Sequence, residues 1–214
     1  MATLQSIFPP TYLADEDGRL ATGGTITENT ILQAYHKGIF PWYEGSTPQW
    51  YAPNPRFVLY PNQLKVSKSM QQIIRKNHFQ FSWNTAFSDV IQCCEQIPRQ
   101  GQYGTWINSD IITTYTALHH KGWAFSAETW LEGDLVGGLY GLQIGSVFCG
   151  ESMFSLVSNA SKFAFIKAVE HLKNKGVTLI DCQVYTPHLE SLGAVHIPRT
   201  KFEEYLPTYA APTI

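Results

Sequence analysis

Charge is scarce in this chain of 214 residues: Asp, Glu, Lys and Arg together make up 15%, and 15 basic against 17 acidic residues leave a formal net charge of −2. Coating nucleic acid without regard to sequence draws its strength from many phosphate contacts, and a near-neutral chain does not suit it. A local basic stripe remains compatible with that balance. Long hydrophobic runs are missing too. No stretch reaches the ~18 apolar residues of a membrane-spanning helix. Residues 1–10 carry no basic segment followed by an apolar one, so a cytoplasmic protein is expected. The 4 cysteines form no CxxC pair and no spacing of a small disulfide scaffold, which predicts buried thiols in a reducing compartment. No GxSxG, Walker loop, HExxH or GxGxxG occurs. Among the 7 histidines, His119 and His120 close a predicted helix and the rest are scattered. That leaves neither a metal-ligand set nor a partner for a covalent Ser or Cys nucleophile, and no metal is expected.

What is present is an ordinary globular composition, 44% apolar and 14% aromatic, long enough for two unequal domains. A small N-terminal α/β domain is expected over residues 1–62 and a larger one over 63–214. In the first, Thr27 caps a short helix that Gly38 stops. Gly38-Ile39-Phe40-Pro41-Trp42-Tyr43 and Trp50-Tyr51-Ala52-Pro53-Asn54-Pro55-Arg56 then read as a proline-stiffened loop rich in aromatics. They serve either as a small core beneath that loop or as a stacking surface for a base. Residues 57–60 are a short strand.

A helix from Ser67 turns Met70, Ile73 and Ile74 inward. Lys68 and Arg75 share its outer face, with Lys65 and Lys76 nearby, either as a solvated surface or as a phosphate-binding patch. Further helices are expected over 85–96 and from Asn108 or Ser109 to Lys121. Beyond Gly122 the period changes to that of strands, at 123–131, 135–144 and 147–154, joined by Glu132-Gly133-Asp134 and Gly145-Ser146. A helix over 159–175 and a strand over 177–184 follow, giving an α+β fold in which a helix crosses between two strands.

Two of those strands contain residues that a core would reject. Glu151 stands in Phe148-Cys149-Gly150-Glu151-Ser152-Met153-Phe154-Ser155, and Asp181 and Gln183 stand in Leu179-Ile180-Asp181-Cys182-Gln183-Val184. A buried charge is costly unless compensated, so these positions predict a cleft between the strands. Alternation puts Asp181 and Gln183 on one face and Cys182 on the other, where the acid can hydrogen-bond the amide and fix its orientation. The alternative is a polar pair that satisfies buried backbone. The helix start at Asn159-Ala160-Ser161-Lys162 presents backbone N–H groups and a lysine to a phosphate or an oxyanion.

Taken together, these blocks resemble the leucyl/phenylalanyl-tRNA–protein transferase family. Further blocks that carry the resemblance are Gly104-Thr105-Trp106-Ile107, Gly137-Gly138-x-Tyr140-Gly141, Ser191-Leu192-Gly193-Ala194 and Ile197-Pro198-Arg199. The resemblance implies transfer of Leu or Phe, less readily Met, from aminoacyl-tRNA to the N-terminal Arg or Lys of proteins in bacteria. It implies a larger domain like that of GCN5-related acetyltransferases, Asp181 and Gln183 as the catalytic residues, and Glu151 as receiver of the basic acceptor residue. By the same resemblance Trp42 and Trp106 contact the 3′ adenosine, and Phe148, Met153 and Ile180 line the donor side-chain pocket. Leu139 stands where the family often has a methionine in that pocket, and Thr186 where an asparagine is familiar. An acetyl-CoA-dependent acetyltransferase would want a glycine-bearing pyrophosphate loop before the crossover helix, and Ser155-Leu156-Val157-Ser158-Asn159-Ala160 has none. An adaptor that only recognises N-terminal residues would leave the tryptophans and the Asp181–Gln183 pair idle. A monomer is the default expectation.

Overall fold

The computed structural model describes residues 7–44, 47–97 and 105–208; residues 98–104, which read as a loop, and all but the first two residues of the tail read over 207–214 lie outside them. In chain order the elements are β1 (Arg19–Thr22), α1 (Glu28–Tyr35), β2 (Phe40–Glu44), β3 (Thr47–Tyr51), β4 (Arg56–Leu59), α2 (Lys68–Arg75), β5 (Gln80–Trp83), α3 (Phe87–Gln96) and α4 (Ser109–His120). Then come β6 (Ala124–Leu131), β7 (Asp134–Ile144), β8 (Val147–Ser155), α5 (Ala160–Asn174), β9 (Leu179–Gln183), α6 (Pro187–Ser191), β10 (Val195–Ile197) and α7 (Arg199–Glu203). The fold is α+β.

Helix starts follow the local chemistry. Thr27 and Thr30 form a reciprocal capping box at α1, Ser67 accepts the Met70 N–H at α2, and Asn108 accepts two N–H groups at α4. At α3 the cap residue Ala86 has no side chain able to do this. The buried carboxylate of Glu128, on β6, accepts the N–H groups of Thr85 and Ala86 instead, at 3.3 Å each. This cap comes from 42 residues away in sequence, so no local signal announces it.

The strands of the described residues form two sheets, one of order β1-β3-β2 and one of order β10-β4-β9-β8-β7-β6-β5. The proline-rich aromatic stretch expected as a loop is therefore largely the β2–β3 hairpin, paired from Phe40↔Tyr51 to Glu44↔Thr47. β4, which lies before residue 62, pairs with β9 and β10 in the larger sheet. Its residues are buried throughout, as a strand inside a sheet requires. One apolar cluster fills the space beneath α1, α3 and α4, and a second lies between the sheet and α5.

Two irregularities open the larger sheet near its middle. β8 and β9 run parallel and pair only over Val147↔Leu179, Phe148↔Ile180 and Cys149↔Asp181, after which they diverge. Just there, β8 bulges. Tyr140↔Ser152 is followed by Gly141↔Gly150, so Glu151 is the extra residue with no partner on β7. The bulge shifts the alternation. Phe148 and Met153, five apart, both reach the α5-side cluster, while Cys149 and Phe154 both reach the other.

Gly141 is required where the bulge closes. A Cβ there would come within 2.2 Å of the Cys149 carbonyl oxygen, whereas at Gly150 the nearest atom would be 3.7 Å away. Gly141→Ala is expected to destabilise the protein by about 1–3 kcal/mol, the scale of overpacking, and Gly150→Ala to leave stability near wild type. Chemical denaturation of the two variants tests the contrast; equal losses would mean that the bulge is not confined by this contact.

Candidate active site

The divergence of β8 and β9 opens a cavity of about 370 Å³, within the range of small-ligand sites. Leu139 from β7, Phe148 and Met153 from β8 and Ile180 from β9 form its apolar wall, together with Phe165, Val169 and Leu172 of α5. Trp42 of β2 and Trp106, just before α4, also line it. Glu151 and Gln183 supply polar groups, and the Gln183 amide Nε2 donates to Glu151 Oε1 at 3.2 Å.

Glu151 has two further partners that the sequence did not reveal. Tyr35 donates to Oε1 at 2.7 Å, Tyr115 lies 3.2 Å from Oε2, and the two tyrosine oxygens are 2.9 Å apart. Burial and the nearby Glu151 hold both phenols well above their ordinary pKa, so they remain neutral donors. Two hydroxyl protons then serve three contacts. With Glu151 ionised, Tyr115 gives its proton either to Oε2 or to Tyr35, and one contact lacks a proton. With Glu151 protonated, its own O–H supplies the missing one. Burial drives the Glu151 pKa up to about 8; the charge of Asp181 adds to the rise, and the hydrogen bonds from Tyr35, Tyr115 and Gln183 oppose it. At neutral pH the resting carboxyl is thus predominantly protonated.

Asp181 is placed differently from the expectation. Its carboxylate does not hold the Gln183 amide; Oδ1 accepts the backbone N–H of Gln183 at 2.9 Å, and Glu151 takes the amide. The carboxylate is fully buried and clamped by Arg56, with Nε to Oδ1 at 2.8 Å and Nη2 to Oδ2 at 2.6 Å. The expected common face of Asp181 and Gln183 is not kept: their partners on β4, Val58 and Phe57, are adjacent and enter opposite clusters, with Cys182 in the α5-side one. β9 also bulges here, since Val58↔Asp181 is followed by Phe57↔Gln183, and Gln183 has a φ of 63°. The Val184 N–H returns to the Cys182 carbonyl at 2.7 Å, a three-residue turn centred on Gln183. Such a backbone costs about 1–3 kcal/mol and persists only because its surroundings hold it.

The other expected residues lie outside this cavity wall. Asn159, Ser161 and Lys162 stand at the start of α5. Asn159 adopts a φ of 71° without a side-chain cap, and the Ser161 N–H is taken by Ser155 Oγ at 3.2 Å. Lys65, Lys68, Arg75 and Lys76 are exposed on and around α2, with no ion pair among the described residues. His188 of α6 lines the cavity unforeseen, its Nε2 buried and without a partner among the described residues. Burial and the charge of Lys162 lower its pKa, which keeps the imidazole neutral. Burial pushes the thiols of Cys149 and Cys182 up, so neither is a ready thiolate nucleophile.

Comparison with known proteins places these residues in a family context. The leucyl/phenylalanyl-tRNA protein transferase family matches residues 58–207, and its N-terminal domain matches residues 24–54. A leucyl/phenylalanyl-tRNA–protein transferase of Christiangramia forsetii is 51% identical over 205 residues, covering 94% of this chain and 97% of that one. One from Syntrophobacter fumaroxidans is 49% identical over 201 residues, covering 94% and 86% respectively. Among solved structures, a GCN5-related N-acetyltransferase from Kribbella flavida aligns over 78% of this chain and 59% of its own, at 11% identity and a TM-score of 0.40.

The proton on Glu151 has a consequence for stability. The folded protein keeps it up to a pH of about 8, while the unfolded chain releases it near 4.5, so across that window unfolding releases a proton and stability falls as pH rises. Above about 8 this loss is complete. Thermal melts of wild type and Glu151→Gln at pH 5 and pH 8.5 are expected to show the variant losing less stability over the interval. Parallel pH dependences would show that Glu151 ionises normally.

Proposed function

Because the chain belongs to the leucyl/phenylalanyl-tRNA–protein transferase family, we propose that it transfers Leu or Phe, and less readily Met, from aminoacyl-tRNA to the N-terminal Arg or Lys of proteins. In the bacterial cytoplasm this addition marks the acceptor for N-terminal-rule degradation, and the enzyme works as a monomer without a cofactor. The observation that carries the reading is the contact between Gln183 and Glu151 at the apolar cavity. It puts a neutral amide and an acidic group where an amine and a hydrophobic acyl group can meet.

The donor is an ester and the product an amide, so transfer runs downhill. The acceptor's α-amino group has a pKa of about 7.7–8.0, and freeing its lone pair at pH 7 costs about 1–1.4 kcal/mol. A strong base is unnecessary, and alignment counts for more, since well-oriented reactants can contribute roughly 7–11 kcal/mol. With Nε2 engaged by Glu151, the Gln183 amide presents its oxygen to an N–H of the incoming amine. The ammonium gives one proton to solvent, its nitrogen attacks the ester carbonyl, the bond from that carbon to the tRNA 3′ oxygen breaks, and the second proton of the nitrogen passes to the departing oxygen. Asp181, buried behind the turn, acts through the Gln183 backbone.

Leu139, Phe148, Met153 and Ile180 receive the donor side chain, and a leucine at 139 tunes the choice among Leu, Phe and Met. Trp42 and Trp106 stack on the 3′ adenosine. Asn159, Ser161 and Lys162 face the phosphates that follow it, and Lys65, Lys68, Arg75 and Lys76 hold the tRNA body by its backbone charge. Glu151 gives up its proton when the cationic acceptor residue arrives. On this reading residues 1–62 and 63–214 are the two domains, with β4 of the first lending a strand to the sheet of the second.

Label from Phe-tRNA is expected in a peptide that begins with Arg, and its absence with wild-type protein would sink the transferase reading. In single-turnover assays Gln183→Ala should slow transfer by about 10-fold or more; a near-normal rate would remove Gln183 from the mechanism. Glu151→Gln is expected to raise KM for Arg- and Lys-starting peptides while leaving that for aminoacyl-tRNA unchanged. Replacing Lys68 and Arg75 together by Ala should do the reverse and flatten the salt dependence of tRNA binding; an unchanged salt slope counts against the basic face.

A further inference from the structure

Arg56 sits where three parts of the chain converge. Its guanidinium is 1% exposed and uses every nitrogen: Nε and Nη2 grip the Asp181 carboxylate, and Nη1 donates to the Gly38 carbonyl at 3.1 Å. The rings of Phe40 and Phe202 pack against it, with centroids 4.7 and 4.6 Å from Cζ. Burial alone would lower the Arg56 pKa, but Asp181 outweighs it, and the group stays charged. A fork fixed in this way leaves the carboxylate one orientation.

That orientation is passed on. Asp181 Oδ1 accepts from Arg56 Nε and from the backbone N–H of Gln183 at the same time. Gln183 has a backbone conformation that a non-glycine residue adopts only when held. The direction of its Cα–Cβ bond, and so the reach of its amide to Glu151, follows from how that N–H is held. On the transferase reading, we propose that Arg56 is a positioning residue for transfer: through Asp181 it sets the turn that aims the Gln183 amide at the acceptor amine. Arg56 itself touches no substrate.

A merely structural role would move stability and the active fraction alone, so the test must separate the two. Arg56→Met and Arg56→Lys are each made in the wild-type and in the Gln183→Ala background, and kcat, both KM values and thermal midpoints are measured. Lysine keeps the charge without the fork and is the variant to read should methionine prevent folding. In the wild-type background kcat is expected to fall about 10- to 100-fold, the scale of a reacting group displaced by about an ångström, with both KM values little changed. In the Gln183→Ala background the same substitution should change kcat by less than about twofold, because the group it positions is already gone. The midpoint should shift equally in both backgrounds.

Equal fractional losses of kcat in the two backgrounds would overturn the proposal, as would a folded Arg56→Lys enzyme with full kcat. Neither result touches the transferase reading, which stands or falls on whether the wild-type enzyme transfers the label.

Discussion

A guanidinium and a carboxylate, both removed from water, hold the centre of this protein together. Each charge alone is expensive to bury, and their attraction compensates only where the geometry is good and the remaining hydrogen-bonding capacity is used. Arg56 and Asp181 meet both conditions, with two short hydrogen bonds between them, a carbonyl for the third nitrogen and a backbone N–H for the shared oxygen. Loss of one partner from such a pair costs about 3–5 kcal/mol, because the other is left charged and unpaired. The pair also joins distant segments. Phe40 leads the β2–β3 hairpin, Phe202 belongs to α7, and Asp181 lies on β9.

The same pair gives the two carboxyl groups beside the cavity different surroundings. Asp181 faces a permanent cation, whereas Glu151 faces two phenols and an amide and has Asp181 as a negative neighbour. Burial therefore lifts Glu151 to about 8, near the pH at which an amine changes state. On the proposed function, a neutral acid that becomes a carboxylate when a cation arrives suits a site that must stay stable while empty and still attract a basic residue.

Both polar groups reach the cavity through irregularities of the sheet. Glu151 is the unpaired residue of one bulge, and Gln183 follows another into a left-handed turn. β-bulges re-aim single side chains while the rest of the strand stays in register. Here they let an apolar wall and a polar contact form from the same two strands. The chemistry proposed for the site asks for alignment more than for a strong base, and a rigid sheet with two such defects near its middle is suited to supply it.

Much of the framework was legible in the chain itself. Thr27, Ser67 and Asn108 marked helix starts, Gly38 and Gly122 marked stops, and the two short separators after residue 131 marked the β6–β7–β8 meander. These signals are local, because a cap or a tight turn is decided within about four residues. Glu151, Asp181 and Gln183 stood out because polar groups in apolar strands need a reason. The β2–β3 hairpin, β5 and β10 did not stand out, since a short strand is made by partners distant in sequence. Nor did Arg56: an arginine after a proline turn looks like surface until Asp181, 125 residues on, is brought against it. Sequence alone marked most of the helices and the β6–β7–β8 meander, and it singled out Glu151, Asp181 and Gln183 as candidates. Tertiary structure decided the strand register, the raised pKa of Glu151 and which partner holds Gln183, because each depends on contacts that exist only once the sheet has closed.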